Sequence, residues 1–523
     1  MSLGYIHFDR PGSSNVISEL LTLSEKANAI FRNKYVKVEE SNPEESTVNN
    51  TFIGRIIEGP FFLPEEVGRD SAIAQAPILR GDTLPIIPKY YALSRVELLG
   101  EFEEKMLVPT RTRPRPKSKV SELDVDIIKK ITGSKGNLLI GKLDGYDNVD
   151  ILLDENDKKI LPRNIGIFGT VGSGKSNTAQ VLIEESIKQD YAVVLFDVEG
   201  EYTNMDKPTK ELHALLEKYG LQPNGIKKFK VWYPAPGESS RSDAKAFTVK
   251  FETFDVYVLF ELVQATEAQE RSFSAVVDAL EEEKIKLRNL KRGPLAKEKR
   301  IEPLTLKRAI DKIFELIDQN KINKPSGYAL AGKLAYIHRF GIFDVQGLPE
   351  LSAENLVVPG QVTVIDVSAC SDPVKNIAIV DVLKKIFDKK VADPKSPKTL
   401  IVIEEAHTFI SRETREKMEA TMDMLKIIAR RGRKRWLCLC FISQQPAHIP
   451  NEIFELCNSR IVHAIKSQPN ITALKNTTGG VVSEVWDIVP TLGQGQALVI
   501  TPQFTHPLIV NIRPAMSERL FVE

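Results

Sequence analysis

The chain has little cysteine, no long apolar run and almost no net charge, and each lack narrows the reading. Its four cysteines, Cys370, Cys438, Cys440 and Cys457, include no CxxC pair, so a secreted protein built on disulfides is not expected. The CLC of 438–440 lies inside an apolar run, where cysteine acts as a small buried hydrophobe. No apolar run approaches the roughly 20 residues that span a bilayer. The opening MSLGYIHFDRPG lacks the basic-then-apolar order of a secretion signal. A soluble, cytoplasmic protein with no membrane partner is expected. Against 71 Lys and Arg stand 70 Asp and Glu, a formal net charge of +1. Such a balance does not advertise a nucleic-acid partner. A ring, however, can confine positive charge to a channel that a sum over the chain does not register. No repeat or low-complexity tract occurs, and 42% hydrophobic residues is ordinary for a globular protein. With 523 residues, two to four domains are expected.

What is present changes character along the chain. Residues 1–107 read as short strands: KYVKVEE (34–40), TFIGRIIEG (51–59) and YYALSRVELLG (90–100) alternate, punctuated by Gly54, Gly59 and Pro60. An N-terminal all-β barrel or sandwich follows. The amphipathic VISELLTLSEKAN (16–28) is read as helical in the alternative. Residues 108–124, VPTRTRPRPKSKVSELD, are read as a linker, because Pro109, Pro114 and Pro116 prevent a helix and disfavour a central strand. A solvated tether and a phosphate-touching arm both remain open for it. Residues 125–253 and 346–523 read as the two parts of one α/β domain, and 254–345 as a helical insertion within it. In the first part, NIGIFG (164–169), SNTAQVLIEESIKQ (176–189) and YAVVLFDVEG (191–200) make a strand–helix–strand unit, hence a parallel sheet. The basic RNLKRGPLAKEKR (288–300) is a solvated loop or a DNA or partner contact.

The chemistry begins at FGTVGSGKSNTAQ. Gly169, Thr170, Val171, Gly172, Ser173, Gly174, Lys175 and Ser176 fit GxxxxGK[ST], with Asn177 following. Glycines let backbone N–H groups turn toward phosphates, and the next helix offers the positive end of its dipole. Lys175 is expected to reach the β- and γ-phosphates of ATP, and Ser176 to supply a hydroxyl to Mg²⁺. The apolar LIVI of 400–403 delivers Glu404 and Glu405 to a strand tip. Glu404 is expected to hold Mg²⁺ through water and Glu405 to activate the attacking water. The usual first acid is Asp, one methylene shorter. Asp197 or Glu199 in FDVEGEY lies at the next tip and would polarise water or bind in the metal's shell, or else shape a turn. Gln444 in SQQP is placed to sense the γ-phosphate, or to form a turn. Arg430 and Arg433 in ARRGRKR suit an arginine that reaches a neighbouring subunit's γ-phosphate, or a solvated face. Arg163, just before the first strand of the unit, is a second such candidate.

Together these strings resemble the HerA family of archaeal DNA-translocating ATPases, within the HerA–FtsK group of P-loop motors. GTVGSGKSNT, FDVEGEY, VIDVS, VIEEAH, ARRGRK, SQQP and GQGQALV carry the likeness in their order and strand context. The resemblance covers nearly the whole chain. It implies a RecA-like ATPase domain with a helical insertion and an N-terminal barrel similar to that family's HAS-barrel. It also implies Lys175 and Ser176 on phosphate and Mg²⁺, Glu405 as the catalytic carboxylate, Gln444 as the polar sensor, and Arg430 or Arg433 as the finger. A hexameric ring around double-stranded DNA, DNA end processing or repair, and a NurA-like nuclease partner are implied as well. Gln445 stands where such motors often carry Arg, and Arg431 where Glu is common, which points to a divergent paralogue.

Three functions are open to such a set of residues. In a ring-shaped DNA translocase, Arg412, Arg415 and Lys417 would line the pore, or else begin a solvated helix. A small-molecule kinase lacks an evident lid or acceptor pocket. A nucleotide-gated scaffold for a nuclease or other partner would need no efficient water-activating base, and Glu405 speaks against it. The expectation is an ATP hydrolase coupled to DNA translocation or helicase activity.

Overall fold

A computed structural model describes residues 2–9, 14–41, 48–65, 90–103, 106–290, 303–410 and 419–520. They form two compact units, Met1–Leu153 with Thr478–Ile512, and Asp154–Thr477 with Arg513–Glu523. The stretch 108–124 thus falls inside the first unit.

The first unit is built on the alternating strands. These are β1 (Ser2–Ile6), β2 (Ile17–Leu23), β3 (Tyr35–Ser41), β4 (Val48–Pro64), β5 (Tyr90–Glu103), β6 (Met106–Val108) and β7 (Lys119–Glu122). They pair in the order β2-β1-β7-β3-β4-β5-β6, and β2 also pairs β5, which closes six of them into a barrel. Period-two alternation sends Val36, Val38, Phe52, Ile56, Val96 and Val120 inward, against Leu3, Ile6 and Leu20. Residues 16–28 are not helical. Ile17–Leu23 is hydrogen-bonded by β1 on one side and β5 on the other, and Ser24–Ala29 is a short 3₁₀ stretch. Apolar spacing suited to a helix loses here to closure of the barrel, because strand preference depends on the packing surface offered. The prolines of 108–124 precede β7, and β7 pairs β1 and β3 as a full barrel strand.

Also in this unit, β8 (Leu138–Leu143) and β9 (Asp150–Leu153) join β18 (Gln496–Ile500) and β19 (Leu508–Ile512) in an antiparallel set ordered β18-β19-β8-β9. Buried Arg55 ties the barrel to the β18–β19 region: it pairs Glu97 at 2.6 Å and donates to the carbonyl of Pro507 at 2.6 Å.

The second unit is a parallel sheet. Its described strands are β10 (Asn164–Phe168), β11 (Ala192–Asp197), β12 (Phe229–Pro234), β13 (Lys245–Phe247), β14 (Val362–Asp366), β15 (Thr399–Ile403), β16 (Leu437–Ser443) and β17 (Cys457–Val462). They order as β13-β12-β14-β11-β15-β16-β10-β17. Every residue of β10, β11, β14, β15 and β16 is buried, as continuous apolar strands covered on both faces must be. Cys438, Cys440 and Cys457 are buried in this sheet, and none of the four cysteines is in a disulfide. The insertion packs helices Val256–Leu262, Glu267–Leu290, Leu306–Asp318 and Lys324–His338 through residues such as Phe260, Phe273, Ile313 and Leu334. No helix among the described residues is long and apolar enough to cross a membrane.

Candidate nucleotide site

In a parallel sheet, ligands gather at the carboxyl ends of the strands. β10 ends at Phe168, and the chain turns through Gly169–Gly174 into helix Lys175–Lys188. Gly174 adopts φ +115°, a conformation that L side chains rarely take. At Gly169 a Cβ would lie 2.5 Å from Ser173 Oγ and 2.7 Å from His463 Cβ. The loop holds its own shape. Thr170 donates through its N–H and its hydroxyl to the carbonyl of Ala464, at 2.9 and 3.0 Å. Ser173 Oγ and Lys175 Nζ both donate to the carbonyl of Thr170, at 2.7 and 3.0 Å. Lys175 is buried, which lowers its affinity for a proton, while Glu405, Glu404 and Glu201 pull the other way. Val171 is 79% exposed at the loop's tip. Asn177 fastens the helix start by donating to the carbonyl of Arg513 and accepting from the N–H of Ala515.

β15 delivers the two acids to different places. Glu404 stays in register with β11, its N–H donating to Phe196, and its carboxyl accepts from the N–H of Val198. Burial pushes its pKa well up, and so does neighbouring Asp197, to which it is hydrogen-bonded. Asp197 is wholly buried and raised to about 6, chiefly by desolvation. Its Oδ1 accepts from the N–H groups of Gly200 and Glu201, and its Oδ2 from that of Tyr202. Of the roles open to Asp197, the one visible here is shaping this turn. Glu199 follows in the same turn. The longer arm of Glu404, compared with an aspartate, lets it span from the tip of β15 to the turn after β11.

Glu405 leaves the strand with φ +41°, strained for a non-glycine residue. Ala406 then donates to the carbonyl of Ile442, which pulls the chain onto β16. The swing brings the Glu405 carboxylate to Gln444, whose side-chain and backbone N–H groups both donate to it. His407 Nδ1 lies 3.1 Å from the same carboxylate and 3.4 Å from Ser443 Oγ. Burial opposes ionisation of Glu405, but His407, Gln444 and Lys175 outweigh it and hold its pKa below the usual range. The result is an ionised carboxylate held at the strand tip by two neighbours, facing the phosphate loop's lysine. β16, which carries Gln444, lies between β15 and β10.

The arginines lie elsewhere. Arg163 precedes β10, and its carbonyl accepts a weak bond from Cys438 Sγ at the start of β16. Arg430 lies in the last turn of helix Glu419–Arg431 and Arg433 in the short 3₁₀ turn Gly432–Arg435 that leads into β16, and both are exposed. All three therefore sit at the amino ends of adjacent parallel strands, about 17 Å or more from the phosphate loop of the same chain. Arg412, Arg415 and Lys417 lie outside the described residues, and so does most of 288–300.

Two groups were missed in the sequence. His407 was in plain view in EEAH but has no fixed offset in a phosphate-loop pattern. Arg519 is the other. It pairs Glu201 at 3.1 Å beside the turn that Asp197 shapes. Its separation from the phosphate loop along the chain left no local signal. For the cation, the hydroxyl of Ser176 at the start of the phosphate-loop helix is a hard oxygen donor that suits Mg²⁺, whereas the Glu404 carboxyl is buried against Asp197 and Val198 and would have to give up its proton to serve one.

Residues 138–386 match the family model described as "Helicase HerA, central domain". Over these residues the chain is similar to that domain. Relatives extend the likeness beyond it. A protein of Methanocaldococcus jannaschii named "Probable DNA double-strand break repair helicase HerA" is 26% identical over 446 residues, covering 80% of this chain and 85% of its own. The Sulfolobus acidocaldarius protein named "DNA double-strand break repair helicase HerA" is 23% identical over 524 residues, covering 98% of this chain and 93% of its own. Among solved structures, VirB4 of Thermoanaerobacter pseudethanolicus aligns at 16% identity with a TM-score of 0.48, covering 73% of this chain and 98% of that one. The phosphate loop lies within the matched residues, while Glu404, Glu405 and Gln444 lie beyond them, at the carboxyl ends of the neighbouring strands β15 and β16.

Proposed function

We propose that the protein is an ATP-driven motor that moves double-stranded DNA, working as a ring of the hexameric type in DNA end processing or repair. Lys175 and the helix N-terminus bind the β- and γ-phosphates. Glu405 accepts the proton of the attacking water, and Gln444 holds Glu405 in place and reads the γ-phosphate. When bound by Ser176 and, through water, by Glu404, Mg²⁺ would neutralise phosphate charge. The ring reading rests on the position of Arg163, Arg430 and Arg433 in the chain segments that lead into β10 and β16, at the ends of those strands away from their own phosphate loop. A cation there serves hydrolysis only at a neighbour's site, where it meets the charge developing on the γ-phosphate. The names of the relatives support DNA as the substrate, and a NurA-like nuclease is the partner the resemblance offers. The poised Glu405 favours turnover over a slow nucleotide-gated scaffold.

The test mixes two silent variants, Lys175→Ala and the double variant Arg430→Ala/Arg433→Ala. Each alone should hydrolyse ATP poorly. Mixed, they should regain DNA-stimulated hydrolysis, because some interfaces then pair an intact phosphate loop with an intact arginine. A mixture as silent as its parts, or an arginine variant with full activity alone, would overturn the proposal.

A further inference from the structure

The segment Arg513–Leu520 is laced to the helix that follows the phosphate loop. Arg513 is fully buried and pairs both Glu184 and Glu185, at 2.9 and 2.8 Å. The carboxylate of Glu184 accepts from the N–H groups of Met516 and Ser517 and from the Ser517 hydroxyl. Gln180 donates to the Ser517 carbonyl, and Asn177 binds Arg513 and Ala515. On its other side the segment takes N–H bonds from Thr209 and Asn224 onto the carbonyl of Met516, and gives them from Glu518 and Leu520 to Lys207 and Glu201. The path of the backbone is therefore fixed on both flanks. It brings Arg519 to Glu201, one residue from Tyr202 and within the turn that Asp197 and Glu404 hold.

Arg519 is not buried like Arg513. Its side chain is 19% exposed and that of Glu201 is 21% exposed, so the pair sits at an accessible rim. Its charge is felt by the Lys175 ammonium and by the buried Tyr202, whose hydroxyl neighbours include Ser176 and Glu404. A cation on a rigid strap, facing the same rim as the phosphate-loop lysine, has the chemistry of a phosphate clamp. Arginine is suited to it, because its planar fork binds phosphate oxygens in pairs.

We infer that Arg519, carried by the 513–520 strap, is a phosphate-binding residue for the nucleotide held by its own chain, and that Glu201 holds it until the nucleotide arrives. This rests on the reading of the phosphate loop as a nucleotide site. On binding, the guanidinium exchanges the Glu201 carboxylate for phosphate oxygens. The strap keeps its path, and only the Arg519 side chain moves. Glu201 thus competes with the ligand for the same cation.

Equilibrium binding of a non-hydrolysable ATP analogue with Mg²⁺ tests this, using the full-length protein and four variants. Arg519→Ala should weaken binding at least tenfold, and Arg519→Lys should recover part of the loss. Glu201→Gln should leave binding unchanged or tighten it, because it frees the arginine. Lys175→Ala should abolish binding. Melting temperatures without nucleotide check that each variant is folded. If Arg519 merely staples the turn, Glu201→Gln will weaken binding as Arg519→Ala does, and the inference fails. Unchanged affinity in Arg519→Ala overturns it as well. If instead Lys175→Ala binds normally, the nucleotide site itself has been misread, a different failure.

Discussion

Glu405 shows how one residue is made into a base. Its left-handed backbone costs on the order of 1–3 kcal/mol and persists because Ala406 and Gln444 tie it to β16. Replacing the carboxylate in Glu405→Gln should lower kcat by about 10²–10⁴-fold while the ATP analogue still binds. Single-turnover hydrolysis beside equilibrium binding checks this, and weakened binding would assign Glu405 a different role. His407→Ala should also lower kcat with little change in KM, since it removes a group that orients the base rather than one that holds substrate. A steady-state kcat and KM comparison decides that. A residue away from the site gives a pH signature. Asp381 is buried on helix Asp372–Ala392, and desolvation lifts its pKa to about 6 despite the ion pair with Lys385 at 2.7 Å. A folded-state pKa above the unfolded value means that the native state binds the proton more tightly. Its contribution to stability is therefore present at low pH and lost as pH rises through about 6. Between pH 5 and pH 7.5 the wild type should lose about 1 kcal/mol relative to Asp381→Asn, measured by urea unfolding at both values. Lys175, Ser176, Glu404, Glu405 and Gln444 are candidates already in the sequence, because each follows a readable apolar strand in a recognisable string, the first two at the start of the helix after β10. The contacts of His407 with Glu405 and of Arg519 with Glu201 were not legible, because they arise from where the chain goes after the motif ends.

At the scale of elements, the strap and the phosphate-loop helix act as one piece. Arg513 pairs two carboxylates that the helix buries, at zero exposure of its own side chain, and Lys188 supplies the second positive charge to Glu185. Arg513→Ala leaves Glu184 and Glu185 without it in the interior, which should cost about 3–5 kcal/mol. Loss of stability below about 1 kcal/mol in chemical unfolding would mean that the helix can keep those acids without the strap. Element types were mostly readable: the alternating runs of the barrel, the apolar strands of the parallel sheet and the helices of the insertion follow their periodicities. Residues 17–23 escaped because an apolar spacing compatible with a helix also fits a strand paired on both sides. Residues 119–122 escaped because three prolines upstream marked the whole stretch as linker, although proline restricts only its own neighbourhood. No local pattern shows that 513–520 returns to residues 177–185, since that pairing depends on the closed sheet.

At the scale of the whole molecule, a net charge of +1 is a sum over 71 basic and 70 acidic residues and does not register where individual charges lie. Acids and the phosphate loop occupy the carboxyl edge of the sheet, while Arg163, Arg430 and Arg433 occupy the amino edge. A ring of such subunits would set one chain's cations against the next chain's nucleotide, and hydrolysis would then depend on assembly. DNA binding through phosphate contacts would weaken steeply as salt rises, which a titration against salt at fixed duplex length reads directly. The most direct test of the account is ATP hydrolysis with and without linear duplex DNA, for the wild type and Glu405→Gln, with the solution mass of each protein measured alongside. The account predicts a large assembly whose turnover rises with DNA and vanishes in Glu405→Gln. A monomer whose turnover ignores DNA would contradict it and would direct the search toward a small-molecule acceptor.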